Sequence, residues 1–236
     1  MAKKEFSEKF PLKVKEDPGQ ADFGGLSGDF SSKISGISSK LFGLIKILLA
    51  VLILPFVYSS ALSFMNEFVG VDTGLQRIFW NGVFSFLIIY LFIFEPAVIY
   101  NRGHKLLELV FSFFKPMINV APFLLPIYTI LFFIIFGLLS LGIKSRSLLE
   151  YELFLIGFSS ILHLVFSAKN IRSKKGDFLK ANYIFGFSFI FILNVALLAL
   201  GFSLIFNEFS FVNFCNTSFN IAKGIFYACF KQLFMF

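Results

Sequence analysis

The stretch LFGLIKILLAVLILPFVYSSALSFM, residues 41–65, decides the fold, because Lys46 is the only charged residue in it. At about 1.5 Å per helical residue, a stretch of this length crosses an apolar bilayer core of about 30 Å. Four further apolar runs follow, at residues 78–100, 119–143, 148–168 and 181–207. The five runs predict an integral membrane protein.

The spans are predicted to be helices. Residues 47–54 and 131–139 are continuously apolar, whereas the strands of a membrane barrel alternate apolar and polar residues. Hydrophobic residues make up 57% of the chain, which leaves no room for a second soluble domain. The sequence therefore predicts an all-α integral membrane helical bundle over residues 41–207, with about five transmembrane helices.

The two ends of the chain differ from this bundle. Residues 1–40 are rich in Lys, Glu, Ser and Gly, which predicts a flexible cytoplasmic tail. Residues 208–236 are predicted to form an amphipathic helix that lies in the membrane interface. Its apolar positions recur at helical spacing: Ala222, Ile225, Phe226, Cys229, Phe230 and Leu233. A sixth crossing is the alternative, although it would bury Lys223 or Lys231 in the bilayer.

The distribution of Lys and Arg predicts the orientation. Most of these residues lie in the tail, in residues 101–118 after the second run and in residues 169–180 after the fourth. The positive-inside rule places these segments and the N-terminus in the cytoplasm, and the C-terminus outside. The net charge of +7 then reflects topology and attraction to anionic lipid, so it gives no support to nucleic-acid binding. We expect a multi-pass protein of the cytoplasmic (inner) membrane of a bacterium, given the Lys, Ile and Phe bias.

Two polar groups inside the runs allow alternative interpretations. Glu95 precedes Pro96 near the cytoplasmic end of the second run, where proline tends to kink a helix. Glu95 either lines a polar cavity beside the kink, or it lies at the headgroup level or pairs with Arg102 or a neighbouring Lys. His163, in the middle of the fourth run, is either a neutral histidine bonded to a facing backbone or hydroxyl group, or a metal ligand.

The sequence GHKLLE, residues 103–108, follows the second run directly. On a helix continuing from that run, His104 and Glu108 are four positions apart and project from one face, about 5–6 Å from each other. This spacing suits two ligands of one metal ion.

These stretches resemble a known family. Residues 94–100 and 102–109 look like the metal-binding helix of intramembrane zinc metallopeptidases of the site-2 protease class, peptidase family M50, where the helix reads Gly-His-Glu-x-x-His. Residues 119–130 are similar to the Ala-Pro-x-x-x-Pro-x-Tyr span of a group of bacterial M50-like proteins. The resemblance covers roughly residues 90–206. It implies a site in which His104, Glu108 and His163 hold zinc.

The chain departs from the family at the position that performs catalysis. Lys105 stands where the family has its general base, and Glu108 stands where it has the second histidine. A protonated lysine cannot accept a proton, and its charge opposes the binding of a cation. Only residues 109–118 replace the loop that holds the substrate in such proteases. The resemblance therefore implies a pseudoprotease with no catalytic residues, which binds a partner membrane protein or its transmembrane segment.

Three alternatives stay open. The chain could be a structural or accessory subunit of a larger membrane complex unrelated to proteases, because its spans hold few polar residues. A transporter would need paired ionisable residues at the midplane, which the runs do not show. The last alternative is an active intramembrane metalloprotease that uses zinc.

Overall fold

The computed structural model of the protein describes residues 24–114, 120–143, 145–173 and 183–234. Within these ranges the backbone forms eight α-helices and no strand, which confirms the predicted all-α helical bundle. The helices are α1 (Gly24–Phe68), α2 (Thr73–Ile88), α3 (Ala97–Val110), α4 (Ala121–Leu124), α5 (Ile127–Ser140), α6 (Arg146–Ser173), α7 (Tyr183–Ile205) and α8 (Phe211–Phe234). A π-helical turn, Ile89–Ile93, extends α2.

Four helical stretches are long and apolar enough to cross a membrane: Leu44–Phe68, Thr73–Ile93, Arg146–Arg172 and Tyr183–Ile205. The third apolar run differs from the prediction, because it divides into α4 and α5. Helix α5 has 14 residues and is therefore only about 21 Å long. Pro126 explains the division, since proline forces the residue before it out of the helical region. Leu125 accordingly has φ −100° and ψ 122°.

The second apolar run also ends earlier than predicted. After the π-helical turn, Phe94 is fully extended with φ −162° and ψ 161°, and α3 begins anew at Ala97. Pro96 supplies the reason, because it lacks the backbone N–H that a continuing helix would need. His104 and Glu108 therefore lie on a separate helix and not on a continuation of the second span.

The predicted ends of the chain are partly described. The described residues up to Leu44 belong to one unit, and residues 45–236 form a second, compact unit. Residues 24–40 of the predicted tail belong to α1, and residues 1–23 lie outside the described residues, so the flexible tail stays a prediction. The predicted terminal helix is present as α8, whose Phe226 ring lies 5.6 Å from the Phe56 ring of α1. Its position in the interface stays a prediction.

Phenylalanine rings form the largest core of the second unit. Phe68 of α1 lies 5.3 Å from both Phe79 of α2 and Phe202 of α7, measured between ring centroids. Phe79 and Phe202 are themselves 5.5 Å apart, and all three side chains are at most 3% exposed. Each such pair contributes about 0.5–1.5 kcal/mol beyond the burial of its area. These rings join three of the four long helices.

Helices α2 and α6 touch backbone to backbone at two glycines. A Cβ atom on Gly82 would lie 2.1 Å from the carbonyl oxygen of Phe154, and one on Gly157 would lie 2.2 Å from that of Phe79. Neither distance is compatible with a side chain. Small residues are what allow membrane helices to approach this closely.

We predict that Gly82→Ala lowers the free energy of unfolding by about 2–3 kcal/mol, because the added methyl group must push α2 away from α6. Equilibrium unfolding of the purified chain in mixed micelles measures this change. Gly137→Ala is the control, since its Cβ meets nothing within 4 Å and alanine favours the helix by about 0.5–1 kcal/mol. Equal stability of the two variants would contradict the close contact.

Candidate functional site

Helix α3 brings together the first two predicted site residues. Nδ1 of His104 lies 3.1 Å from Oε1 of Glu108, one helical turn further on. Their side chains are 20% and 45% exposed. The imidazole also packs edge-on against the ring of Phe123, with 5.1 Å between the ring centroids. The predicted proximity of His104 and Glu108 is confirmed, and the two side chains bond each other.

Gly103 allows α3 to pack tightly against the start of α5. A Cβ atom at this position would lie 2.7 Å from the ring of Tyr128 and 2.8 Å from the side chain of Ile127. The Tyr128 hydroxyl donates a hydrogen bond of 2.6 Å to the carbonyl oxygen of Ile99 in α3. Together these contacts fix the face of α3 that carries His104.

His163 reaches the same region from α6. Its side chain is 4% exposed, and Nε2 lies 3.1 Å from the carbonyl oxygen of Phe123. The Ser167 hydroxyl donates to the same oxygen at 3.3 Å and lies 3.3 Å from Nε2 of His163. The Tyr100 hydroxyl is 3.4 Å from that of Ser167. His163 therefore makes the contact with a facing backbone group that one interpretation of the sequence predicted.

The broken third run explains why this carbonyl oxygen is open to side chains. Helix α4 ends at Leu124, so the next helical turn supplies no N–H to the carbonyl of Phe123. A backbone oxygen without a partner in an apolar environment is costly, by about 1–3 kcal/mol. His163 and Ser167 provide the missing partners.

A small cavity lies between the two histidines. It is lined by Tyr100, His104, Ser159 and His163, among other side chains, and its volume is about 10 Å³. The ring of Tyr100 lies 6.0 Å from that of His104 and 6.1 Å from that of His163. A cavity of this volume holds about one water molecule. The fold thus places both histidines at one cavity that is far too small for a peptide.

The residues do not fit a three-ligand zinc site in this arrangement. In the part of the chain that the structure describes, no group of three or more His, Cys, Asp or Glu side chains could hold a metal ion. His104 and Glu108 bond each other, and Nε2 of His163 faces a carbonyl oxygen. Zinc ligation by His104, Glu108 and His163 stays a prediction, and we derive no chemical step through a metal.

Glu95 lies apart from this cavity. The ammonium group of Lys169 on α6 donates to its carboxylate, and both side chains are about half exposed. This pairing agrees with the interpretation in which Glu95 sits at the end of the second span beside a lysine. An exposed ion pair of this kind adds little to stability, because solvent screens it.

Sequence reasoning missed several buried polar residues. The hydroxyl oxygen of Thr129 lies 2.8 Å from that of Ser159 and 3.3 Å from that of Ser160. Asn194 donates a hydrogen bond of 2.8 Å to the carbonyl oxygen of Ile190. Glu152 is only 4% exposed, and its Oε1 atom has no hydrogen-bond partner among the described residues. The signal for Glu152 was present, because an acidic residue inside an apolar run marks a candidate site.

We predict that His163→Ala lowers the free energy of unfolding by about 1–3 kcal/mol, since it removes a partner from the buried Phe123 carbonyl. The matched control is Lys105→Ala on the exposed face of α3, for which we expect a change within about 0.5 kcal/mol. Unfolding in mixed micelles gives both values. An unchanged stability of the His163 variant would show that the bond is unimportant.

No family model matches the sequence, and no match was found to a curated protein or a solved structure. The resemblance to site-2 proteases therefore rests on the motif residues of this chain.

Proposed function

We propose that this chain is a non-catalytic membrane protein, M50-like in its motif, which binds a transmembrane helix of a partner membrane protein. The observation that carries the proposal is the position of Asn81, a polar side chain exposed on the apolar surface of α2. The small cavity at His104 and the exposed lysine at position 105 support the absence of catalysis.

Asn81 lines a groove between α2 and α6. The groove has a volume of about 470 Å³ and is lined by Ile78, Asn81, Ser147, Glu150, Tyr151 and Phe154. The phenol of Tyr151 is 74% exposed beside it. The close contact at Gly82 brings the two helix backbones together at the floor of the groove. A second helix could lie along this groove and meet a polar group there.

The depth of Asn81 makes a partner favourable. Arg146 lies 3.3 Å from Asp72, and this ion pair marks the polar end of the bundle. Asn81 is eight positions after Thr73, which places it about 12 Å further along α2. The described ranges offer its amide no hydrogen-bond partner. In hydrocarbon, a hydrogen bond between helices contributes about 0.6–2 kcal/mol.

We also propose a location and an orientation for the chain. The excess of Lys and Arg in residues 1–40, 101–118 and 169–180 supports a cytoplasmic N-terminus in a bacterial inner membrane. The Asp72 end of the bundle, where α2 and α6 begin, then lies at the outer face. A partner helix in the groove would carry its polar group in the outer leaflet.

An accessory subunit unrelated to proteases could use the same groove. The two candidates differ in the importance of His104 and Glu108. An M50-like protein would need both for its native α3. An unrelated subunit could lose both without effect on assembly. Assembly of the His104→Ala variant with the partner separates them.

We predict that a photoreactive amino acid at Tyr151 forms a discrete crosslink to one membrane protein in native membranes. The yield of the crosslinked product should fall about threefold to thirtyfold in an Asn81→Leu background, because the interhelical hydrogen bond is lost. Immunoblotting of the full chain measures both. The control position is Leu91, which is 67% exposed near the other end of the second span.

The same crosslinked band at Leu91, or an unchanged band in the Asn81→Leu background, would overturn the groove as the binding surface. Cleavage of the captured protein that disappears in His104→Ala would instead establish an active metalloprotease.

A further inference from the structure

A second groove runs along α5 and α7. Its apolar part, about 340 Å³, is lined by Ile130, Phe133, Ile134, Leu197 and Leu200, among others. Its polar part, about 510 Å³, opens at the ends of α2, α5, α6 and α7. The two parts adjoin at Leu204, which lines both. We propose that this groove binds one phospholipid whose headgroup carries a primary amine, as in phosphatidylethanolamine.

The length of the groove matches one acyl chain. The apolar part begins at Thr129 and the polar part reaches Ser140, and these residues are about 16 Å apart along α5. One leaflet of the hydrocarbon core is about 15 Å deep. An acyl chain that enters from the polar end therefore reaches the floor of the groove near the middle of the bilayer.

The apolar part of the groove is narrow, with a volume of about 340 Å³. The ring of Phe133 limits it, because it lies over Gly201 with atoms 2.2 Å from where a Cβ would be. A narrow apolar groove of this kind suits a flexible acyl chain.

The polar mouth carries charges of both signs. Arg146 and Asp72 both line it, and Nη2 of Arg146 donates 3.3 Å to Asp72. Glu150, which accepts from Nε of Arg146 at 3.1 Å, lines the groove that holds Asn81. A guanidinium has five N–H donors, so Arg146 keeps three for a phosphate. Asp72 keeps acceptor sites for an ammonium group, and the two side chains are 69% and 52% exposed.

This charge pattern selects the headgroup. Asp72 and Arg146 are the charged residues among its described lining, and together they carry no net charge. The mouth therefore does not favour an anionic headgroup. A zwitterionic headgroup can pair with both the positive and the negative side chain. A choline headgroup has no N–H to donate to Asp72, whereas the ammonium group of ethanolamine has three.

The test is native mass spectrometry of the full chain, released from nanodiscs that contain equal amounts of phosphatidylethanolamine, phosphatidylglycerol and phosphatidylcholine. We expect one retained lipid, with ethanolamine favoured about fivefold over each of the others. Asp72→Asn should bring this ratio close to one. Asparagine keeps the cap on α2 that Asp72 provides by accepting from the Leu75 N–H at 3.1 Å, so the helix is preserved.

A second pair of variants tests the apolar part. Leu200→Trp fills the groove and should abolish the retained lipid, whereas Leu91→Trp, on the exposed surface of the second span, should leave it unchanged. The proposal is overturned if no lipid is retained, if the three headgroups bind equally to the unmodified chain, or if Leu200→Trp retains the lipid. These readouts are independent of any crosslink at Tyr151.

Discussion

The close approach of α2 and α6 at Gly82 and Gly157 is the constraint on which the bundle depends. Because neither position has a side chain, the two backbones meet directly, and the phenylalanine rings of α1 and α7 close over one end of the crossing. The groove that holds Asn81 has its walls on these same two helices. Packing in a membrane gains nothing from excluding water, so van der Waals contact of this closeness is what holds the helices together.

The elements that sequence predicted well are those set by local chemistry. Four apolar runs became long helices, because length and hydropathy suffice for a span. His104 and Glu108 meet because both lie on one helical turn, which needs no tertiary information. Hydropathy predicts the third run as one span, because it averages over side chains and ignores the backbone N–H groups. Pro122 and Pro126 were visible in the sequence, yet the extent of the break depends on how α4 and α5 pack.

Tertiary contacts account for what could not be predicted. Nothing local links His163 to the carbonyl oxygen of Phe123, since the bond exists only after α6 packs beside α4. The sequence does not distinguish Asn81 from other polar residues. Its exposure on an apolar surface follows from how α2 is oriented in the fold. The charges at positions 72 and 146 are likewise distant in the chain and adjacent in the fold. In each case the sequence contains the side chains, but only the fold shows which of them lie together.

The shortness of α5 has a consequence for the surrounding bilayer. Its outward residues, such as Ile134 and Leu138, are more than half exposed over a helix of about 21 Å, whereas the hydrocarbon core is about 30 Å thick. Hydrophobic mismatch costs fractions of a kcal/mol per ångström, and lipids next to a short helix relieve it by thinning. A bilayer in contact with α5 would therefore have to thin there, whereas the long helices match a bilayer of ordinary thickness. We expect the free energy of the protein to depend on membrane thickness for this reason.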